Sequence, residues 1–250
     1  MTLEEFFHEN SECALAFSGG ADSAFLLFAA TKYARRVRAY YVSSAFQPRF
    51  ELDDARRLAA ELGADMRVLT VDVLADETVR SNPPERCYYC KRVIFSTIAD
   101  AARGDGFEVL LDGTNASDDA GDRPGMRALR EMNVRSPLHE CGLTKPEIRR
   151  LSREAGLFTW DKPAYACLAT RIPSGVEITA EKLEKTEAAE SELFALGFRD
   201  FRVRLLAGCA RIQLPEDQLA LLLEKRGEVL EKLKRHYGAV LLDLEVRGGQ

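Results

Sequence analysis

Three sets of residues in this sequence are of types that do chemistry. The first is Ser18-Gly19-Gly20-Ala21-Asp22-Ser23, which follows an apolar run at 13–17 and opens an apolar helical stretch. Gly19 and Gly20 can adopt positive φ and let backbone N–H groups approach a phosphate closely. The start of the following helix adds its dipole and its unpaired donors. Ser18 and Ser23 supply hydroxyls, and Asp22 can hold the Mg²⁺ that accompanies a nucleotide. A glycine turn between strand and helix needs no ligand. This one, however, is expected at the end of the first strand, where doubly wound sheets bind ligands. It is neither the dinucleotide fingerprint nor the nucleoside-triphosphatase loop, because Gly-x-x-x-x-Gly-Lys is absent. Ser43 and Ser44 end the second expected strand, at the adenosine edge of such a site. Asp112, Gly113 and Thr114 end the fourth, within "LDGTNASDD" (111–119), which alone reads equally well as a solvated acidic loop.

The second set is the cysteines. Cys87 and Cys90, in "ERCYYCKR", have metal-chelate spacing, but the pair also suits a disulfide, a redox switch or chance. Cys167 lies in the irregular "ACLATR" segment beside Arg171, and a nearby guanidinium favours thiolate. Cys13 and Cys209 fall in strands and read as small core residues, while Cys141 sits in a turn. A structural zinc site would need four closed ligands, which Cys141 or His139 could complete. The third set is Arg202, Arg204 and Arg211 on two neighbouring strands. Alternation puts Arg202 and Arg204 on one sheet face, as a bidentate phosphate clamp or as a solvated strand face.

These residues need a scaffold, and the composition allows one. At 250 residues, 46% hydrophobic and 30% charged, the chain can bury a substantial core, as one large domain or a main domain with a smaller one. The net charge of −5 gives no global basic footprint, which disfavours general nucleic-acid binding. No signal peptide is visible, and no apolar stretch approaches the ~20 residues that span a bilayer. A cytoplasmic protein with reduced thiols is therefore expected, and a structural disulfide is not.

Apolar runs at 13–17, 38–43, 66–72 and 107–112 suit buried parallel strands. Helical patterns lie between them. Ala55, Leu58, Ala59 and Leu62 recur at three- and four-residue spacing until Gly63, and Thr144 with Glu147 forms a capping box opening a helix that ends at Gly156. This α/β alternation predicts a doubly wound parallel sheet. The segment 160–175 interrupts it. A helix opened by Thr179, a strand pair, a helical stretch with a break at Gly227 and a closing strand at 239–246 then predict a small α+β domain. The expected boundary lies near residue 175, giving domains 1–175 and 176–250.

The loop "FSGGADS" resembles the pyrophosphate loop of the ATP pyrophosphatases, which cut ATP to AMP and pyrophosphate by adenylating a substrate. "YYCK", "DGTNASDD", "DRPGMRAL", "ACLATRIPSG" and "RVRLLAGCARIQLP" follow it in order. Together they resemble the LarE family, ATP-dependent sulfur transferases that build the nickel-pincer nucleotide of lactate racemase. The resemblance implies that a carboxylate of pyridinium-3,5-dicarboxylate mononucleotide is adenylated and that sulfur then replaces AMP. It implies ATP contacts at Ser18, Gly19, Gly20, Asp22, Ser23, Ser43, Gly113, Thr114 and Arg171, and a substrate 5′-phosphate on Arg202, Arg204 and Arg211. Cys167 maps to the family's sulfur site, with Asp22 as the other catalytic residue. In single-cysteine members that cysteine surrenders its own sulfur. With Cys87 and Cys90 also present, the chain resembles variants in which three cysteines hold a [4Fe-4S] cluster. Three ligands leave one iron open, which a sulfide carrier needs. Gln213 stands where the family's acidic residue is expected, which puts a metal role there in doubt. A homo-oligomer, assembled through the small domain, and a downstream nickel-inserting enzyme complete the expectations.

Other readings have specific weaknesses. A tRNA sulfurtransferase would need a basic surface or an added RNA-binding domain. An ammonia-using synthetase gives three placed cysteines no role. A nucleotide-binding redox or metal sensor would show no turnover dependent on the mononucleotide.

Overall fold

The four apolar runs of the first two-thirds form one parallel sheet. In the computed structural model, which describes residues 1–118 and 124–245, they are β1 (Glu12–Ala16), β2 (Arg36–Ser43), β3 (Asp65–Thr70) and β4 (Val109–Leu111), in the order β3-β2-β1-β4. Every neighbouring pair is parallel. The central β1 buries Cys13, Ala14 and Leu15 completely, as expected of a strand covered on both faces. The chain winds from β1 outward through β2 and β3, then returns to place β4 on the other side of β1. That reversal is a topological switch point, and the loops after β1 and β4 flank it.

Among the described residues up to 154, the helices are α1 (Leu3–Glu9), α2 (Ala21–Tyr33), α3 (Arg49–Glu61), α4 (Glu77–Arg80), α5 (Arg86–Gly104), α6 (Pro124–Glu131), α7 (Pro137–Glu140) and α8 (Lys145–Glu154). The capping box read from Thr144 and Glu147 opens α8. The end of α5 is fastened to the sheet by Asp105, whose carboxylate accepts from Tyr40 Oη at 2.7 Å, Arg38 Nη1 at 2.9 Å and Arg67 Nη1 at 3.0 Å. The Tyr40 hydroxyl and then the Arg38 guanidinium lower the Asp105 pKa to about 2.

The chain forms two compact units, Met1–Val73 with Glu85–Ala164 and Leu74–Pro84 with Tyr165–Gln250. The second therefore starts earlier than the boundary expected near 175, and it includes a distant segment. Asn82 explains the inclusion. It is 1% exposed at φ 57°, and its Nδ2 donates to Pro173 O at 2.8 Å and Val176 O at 3.2 Å. Its own carbonyl accepts from Gly175 N at 2.8 Å. Contacts across ninety residues leave no trace in local periodicity.

The second unit contains α4 and then follows the expected order, with α9 (Ala180–Ala195), β5 (Arg202–Leu206), β6 (Cys209–Gln213), α10 (Leu219–Glu224), α11 (Arg226–Leu233) and β7 (Val240–Leu242). β5 and β6 are antiparallel around Ala207 and Gly208, both at positive φ, which matches a two-residue hairpin turn. β6 and β7 are parallel. Phe198, Phe201, Val203, Ile212 and Leu233 lie in its core. The break between α10 and α11 falls at Lys225, two residues before Gly227. The last strand is shorter than the run 239–246, whose final residue lies outside those described. No helix among the described residues is long and apolar enough to cross a membrane.

Candidate active site

The loop after β1 is built around close approach. Gly19 has φ 73°, and a Cβ there would stand 3.2 Å from Glu51 O and 3.3 Å from the Ala55 Cβ of α3. Gly20 is the N-cap of α2 and carries no side chain to cap its first N–H groups, so these donors face whatever anion arrives. Ser23 is 4% exposed, and its Oγ lies 3.0 Å from Ser18 Oγ and donates to Gly20 O at 3.1 Å. Asp22 Oδ2 pairs with Lys145 Nζ, while Asp22 Oδ1 is buried and has no hydrogen-bond partner among the described residues. A buried carboxylate oxygen left unpaired is costly unless a cation or donor completes it. It therefore fits the Mg²⁺ that accompanies a nucleotide.

The end of β4 meets this loop. A Cβ on Gly113 would stand 3.0 Å from Ser23 N and 3.1 Å from Ser23 Cα, so any side chain there would press on the start of α2. Asp112 is 6% exposed and accepts from Thr114 Oγ1 and Ser136 Oγ, each at 2.6 Å. Asp112 and Thr114 thus belong to an ordered, buried turn rather than a solvated acidic loop. Asp119, at the end of "LDGTNASDD", and residues 122–123 of "DRPGMRAL" lie outside the described residues. A cavity of about 110 Å³ opens beside the loop, lined by Phe17 and Ser18 of the loop, Tyr41 and Val42 of β2, and Phe95 and Ile98 of α5. Ser44 braces the next turn, accepting from Phe46 N at 3.2 Å.

Two lysines that sequence patterns do not mark stand at the loop. Lys145 reaches Asp22 from the first turn of α8, and Lys162 Nζ lies 3.3 Å from Gly19 O and 2.6 Å from Asp54 Oδ2. Their signal was weak. In the sequence Lys145 belongs to the capped helix opened by Thr144, and Lys162 to the segment 160–175 that interrupts the alternation.

Cys87 and Cys90 stand in the first turns of α5, three residues apart and so on one helical face. Neither is in a disulfide, and Cys87 is exposed while Cys90 is buried. Arg86 Nη2 lies 3.6 Å from Cys87 Sγ. Burial lowers the pKa of the neighbouring Lys91, against the opposing pull of Asp112 and of both cysteines. Among the described residues, no three His, Cys, Asp or Glu side chains are grouped as a metal site. Cys13 is sealed in β1, and burial pushes its thiol up to about 12. Cys209 starts β6 beside the hairpin turn, half-buried rather than in the core.

Cys167 belongs to the second unit, immediately before a 3₁₀ turn at Leu168–Arg171. Its carbonyl accepts from Thr170 N at 3.0 Å and Thr170 Oγ1 at 2.9 Å. Arg171 has a different position from that expected of an ATP contact. Its side chain is 0% exposed, Nε and Nη2 hold Glu190, and Nη1 donates to Ala166 O at 2.7 Å. Burial works most strongly against its charge, but the Glu190 carboxylate, with Tyr165 and Cys167, leaves the net pKa direction up. The guanidinium is thus already neutralised by Glu190.

The hairpin register pairs Arg204 with Arg211 and Arg202 with Gln213, so all four side chains share one face. Arg204 Nε donates to Gln213 Oε1 at 3.3 Å and Nη1 to Thr170 O at 2.9 Å, while Arg211 Nε pairs with Asp243 at 3.3 Å. Gln213 therefore orients a guanidinium. Like charges directly opposite on a sheet are unfavourable, and a bound anion relieves that cost.

No family model matches the chain. An uncharacterised protein of Synechocystis sp. is 35% identical over 99% of this chain and 93% of its own length. An uncharacterised protein of Methanocaldococcus jannaschii is 29% identical over 98% of this chain and 93% of its own. The pyridinium-3,5-bisthiocarboxylic acid mononucleotide synthase of Lactiplantibacillus plantarum is 36% identical over 87% of this chain and 80% of its own length. With that identity running through both units, the chain belongs to the LarE family of sulfur-transferring enzymes.

Proposed function

We propose that this protein is an ATP-dependent sulfur transferase acting on pyridinium-3,5-dicarboxylate mononucleotide. Its identity to the named synthase over most of both chains carries this reading. The loop at Ser18–Ser23, with its uncapped helix start and the orphaned Asp22 Oδ1, supports ATP and Mg²⁺ as its ligands. A substrate carboxylate oxygen attacks the α-phosphorus of ATP, and pyrophosphate leaves toward the loop. Lys145 and Lys162 put two ammonium charges there, where negative charge builds up. The acyl-adenylate makes AMP the leaving group, and a sulfur nucleophile attacks the acyl carbon to give the thiocarboxylate. Arg202, Arg204 and Arg211 hold the 5′-phosphate, and Cys167 is the sulfur site.

A [4Fe-4S] cluster would take Cys87, Cys90 and Cys167 as ligands. The donors fit it in kind, being thiols only, with Arg86 and Lys91 beside two of them to offset negative charge. When bound, such a cluster supplies an open iron able to carry an extra sulfide. A homo-oligomer formed through the small unit is supported by the exposed Leu241, Leu242 and Leu244 at the edge strand β7 and just beyond it. A partner that inserts nickel and a cytoplasmic location follow from the same reading.

The test is turnover of ATP with the mononucleotide. AMP, pyrophosphate and a product carrying sulfur in place of one oxygen should form together, and only when the mononucleotide is present. Asp22→Ala should abolish pyrophosphate release without loss of fold. AMP formation driven equally by tRNA, or turnover that ignores the mononucleotide, would reject the assignment.

A further inference from the structure

We infer that Glu190 is a positioning residue for sulfur transfer, fixing the turn at Cys167 relative to the strand that carries Arg202 and Arg204. The inference rests on the proposed function. Glu190 projects from α9 and is 1% exposed, between the apolar Ala189 and Leu193. Its carboxylate is fully used. Oε1 accepts from Arg171 Nε at 2.9 Å and from Val203 N at 2.8 Å, while Oε2 accepts from Arg171 Nη2 at 3.1 Å and from the Tyr165 hydroxyl.

Tyr165 and Arg171 belong to the short segment around Cys167, and Val203 belongs to the neighbouring strand β5. Tyr165 lies two residues before Cys167, and its ring packs 4.5 Å from the Arg171 guanidinium carbon. Arg171 lies four residues after Cys167 and grips Ala166 O and Thr170 Oγ1. Val203 lies between Arg202 and Arg204 in β5. Arg204 closes the circuit by donating from Nη1 to Thr170 O at 2.9 Å. One carboxylate thus sets the spacing between the sulfur site and the proposed phosphate clamp.

A buried ion pair is a poor way to gain stability, because removing both charges from water costs more than a well-packed apolar replacement would. What this one supplies is a fixed geometry. Attack on an acyl-adenylate depends on approach distance, and a misplacement of about 1 Å can cost on the order of a hundredfold in rate. Adenylation uses the loop of the other unit and does not need the Cys167 turn to be held to that tolerance.

The experiment compares Glu190→Gln and Tyr165→Phe with wild type, after circular dichroism establishes that each is folded. Glu190→Gln keeps the shape and removes the charge, while Tyr165→Phe removes one hydroxyl only. Mononucleotide-dependent pyrophosphate release and thiocarboxylate are measured in the same reaction. Pyrophosphate release should stay within about twofold of wild type while thiocarboxylate formed per pyrophosphate falls about tenfold or more in Glu190→Gln and several-fold in Tyr165→Phe. If Glu190→Gln does not fold, the Tyr165→Phe ratio decides alone. An unchanged ratio overturns the inference, and so does a parallel fall of both products, which marks a merely structural role. Wild-type protein without mononucleotide-dependent pyrophosphate release overturns the proposed function and this inference with it, and that control separates the two failures.

Discussion

Arg204 has the most legible single-residue role in the second unit. It faces Arg211 across the hairpin, is oriented by Gln213, and shares its face with Arg202. Losing a charge-assisted phosphate contact costs about 1.5–3 kcal/mol, roughly ten- to a hundredfold in affinity. Arg204→Ala should weaken mononucleotide binding by that factor and leave ATP binding unchanged, as measured by titration calorimetry. Unchanged mononucleotide affinity would remove Arg204 from the phosphate site. The arginines were readable from alternation alone, because side chains two apart on a strand share a face. Lys145 was not readable, because its partner Asp22 lies 123 residues away.

At the level of elements, the junction of α5 with β2 and β3 carries a pH dependence whose sign is set by Asp105. Its folded pKa of about 2 lies below the ordinary value of 3.8, so the ionised form is favoured by folding. Its contribution to stability is therefore present above pH 3.8 and is lost as pH falls toward 2. Asp105→Asn should lower the unfolding midpoint at neutral pH and flatten the decline between about pH 4 and pH 2. Urea unfolding across that range checks it, and an unaltered slope would show that other carboxylates govern the acid limb. The strands and α8 were readable because a short apolar run and a capping box are properties of neighbouring residues. The extra segment Leu74–Pro84 of the small unit was not, since it depends on Asn82 meeting residues 173–176.

For the whole molecule, the cluster reading predicts that sulfur transfer does not consume the protein. A cysteine that gives up its own sulfur acts once per chain. Protein purified without oxygen should instead contain about four iron and about four sulfide per chain, by the formula of the cluster. Given excess sulfide, it should make more than one thiocarboxylate per chain. Cys87→Ala, Cys90→Ala and Cys167→Ala should each lose both the cluster and the repeated turnover. Cys13→Ala should keep them, since that thiol is sealed in β1. Mass spectrometry after reaction supplies the contrary result, in which Cys167 has lost the mass of H₂S and no iron is found. Cys87 and Cys90 would then need another role.

Sequence alone determined what local rules can reach. The glycine loop at the end of β1, the shared face of Arg202 and Arg204, the capped α8 and the three-residue spacing of Cys87 and Cys90 each depend on residues within about one helical turn or one strand. The tertiary structure decided what depends on who meets whom. Arg171 reads from its neighbours as a cation beside Cys167 that favours thiolate, and folding buries it against Glu190, nineteen residues on. That partner decides its surroundings, because a guanidinium removed from water must find a carboxylate and carbonyls to satisfy its donors.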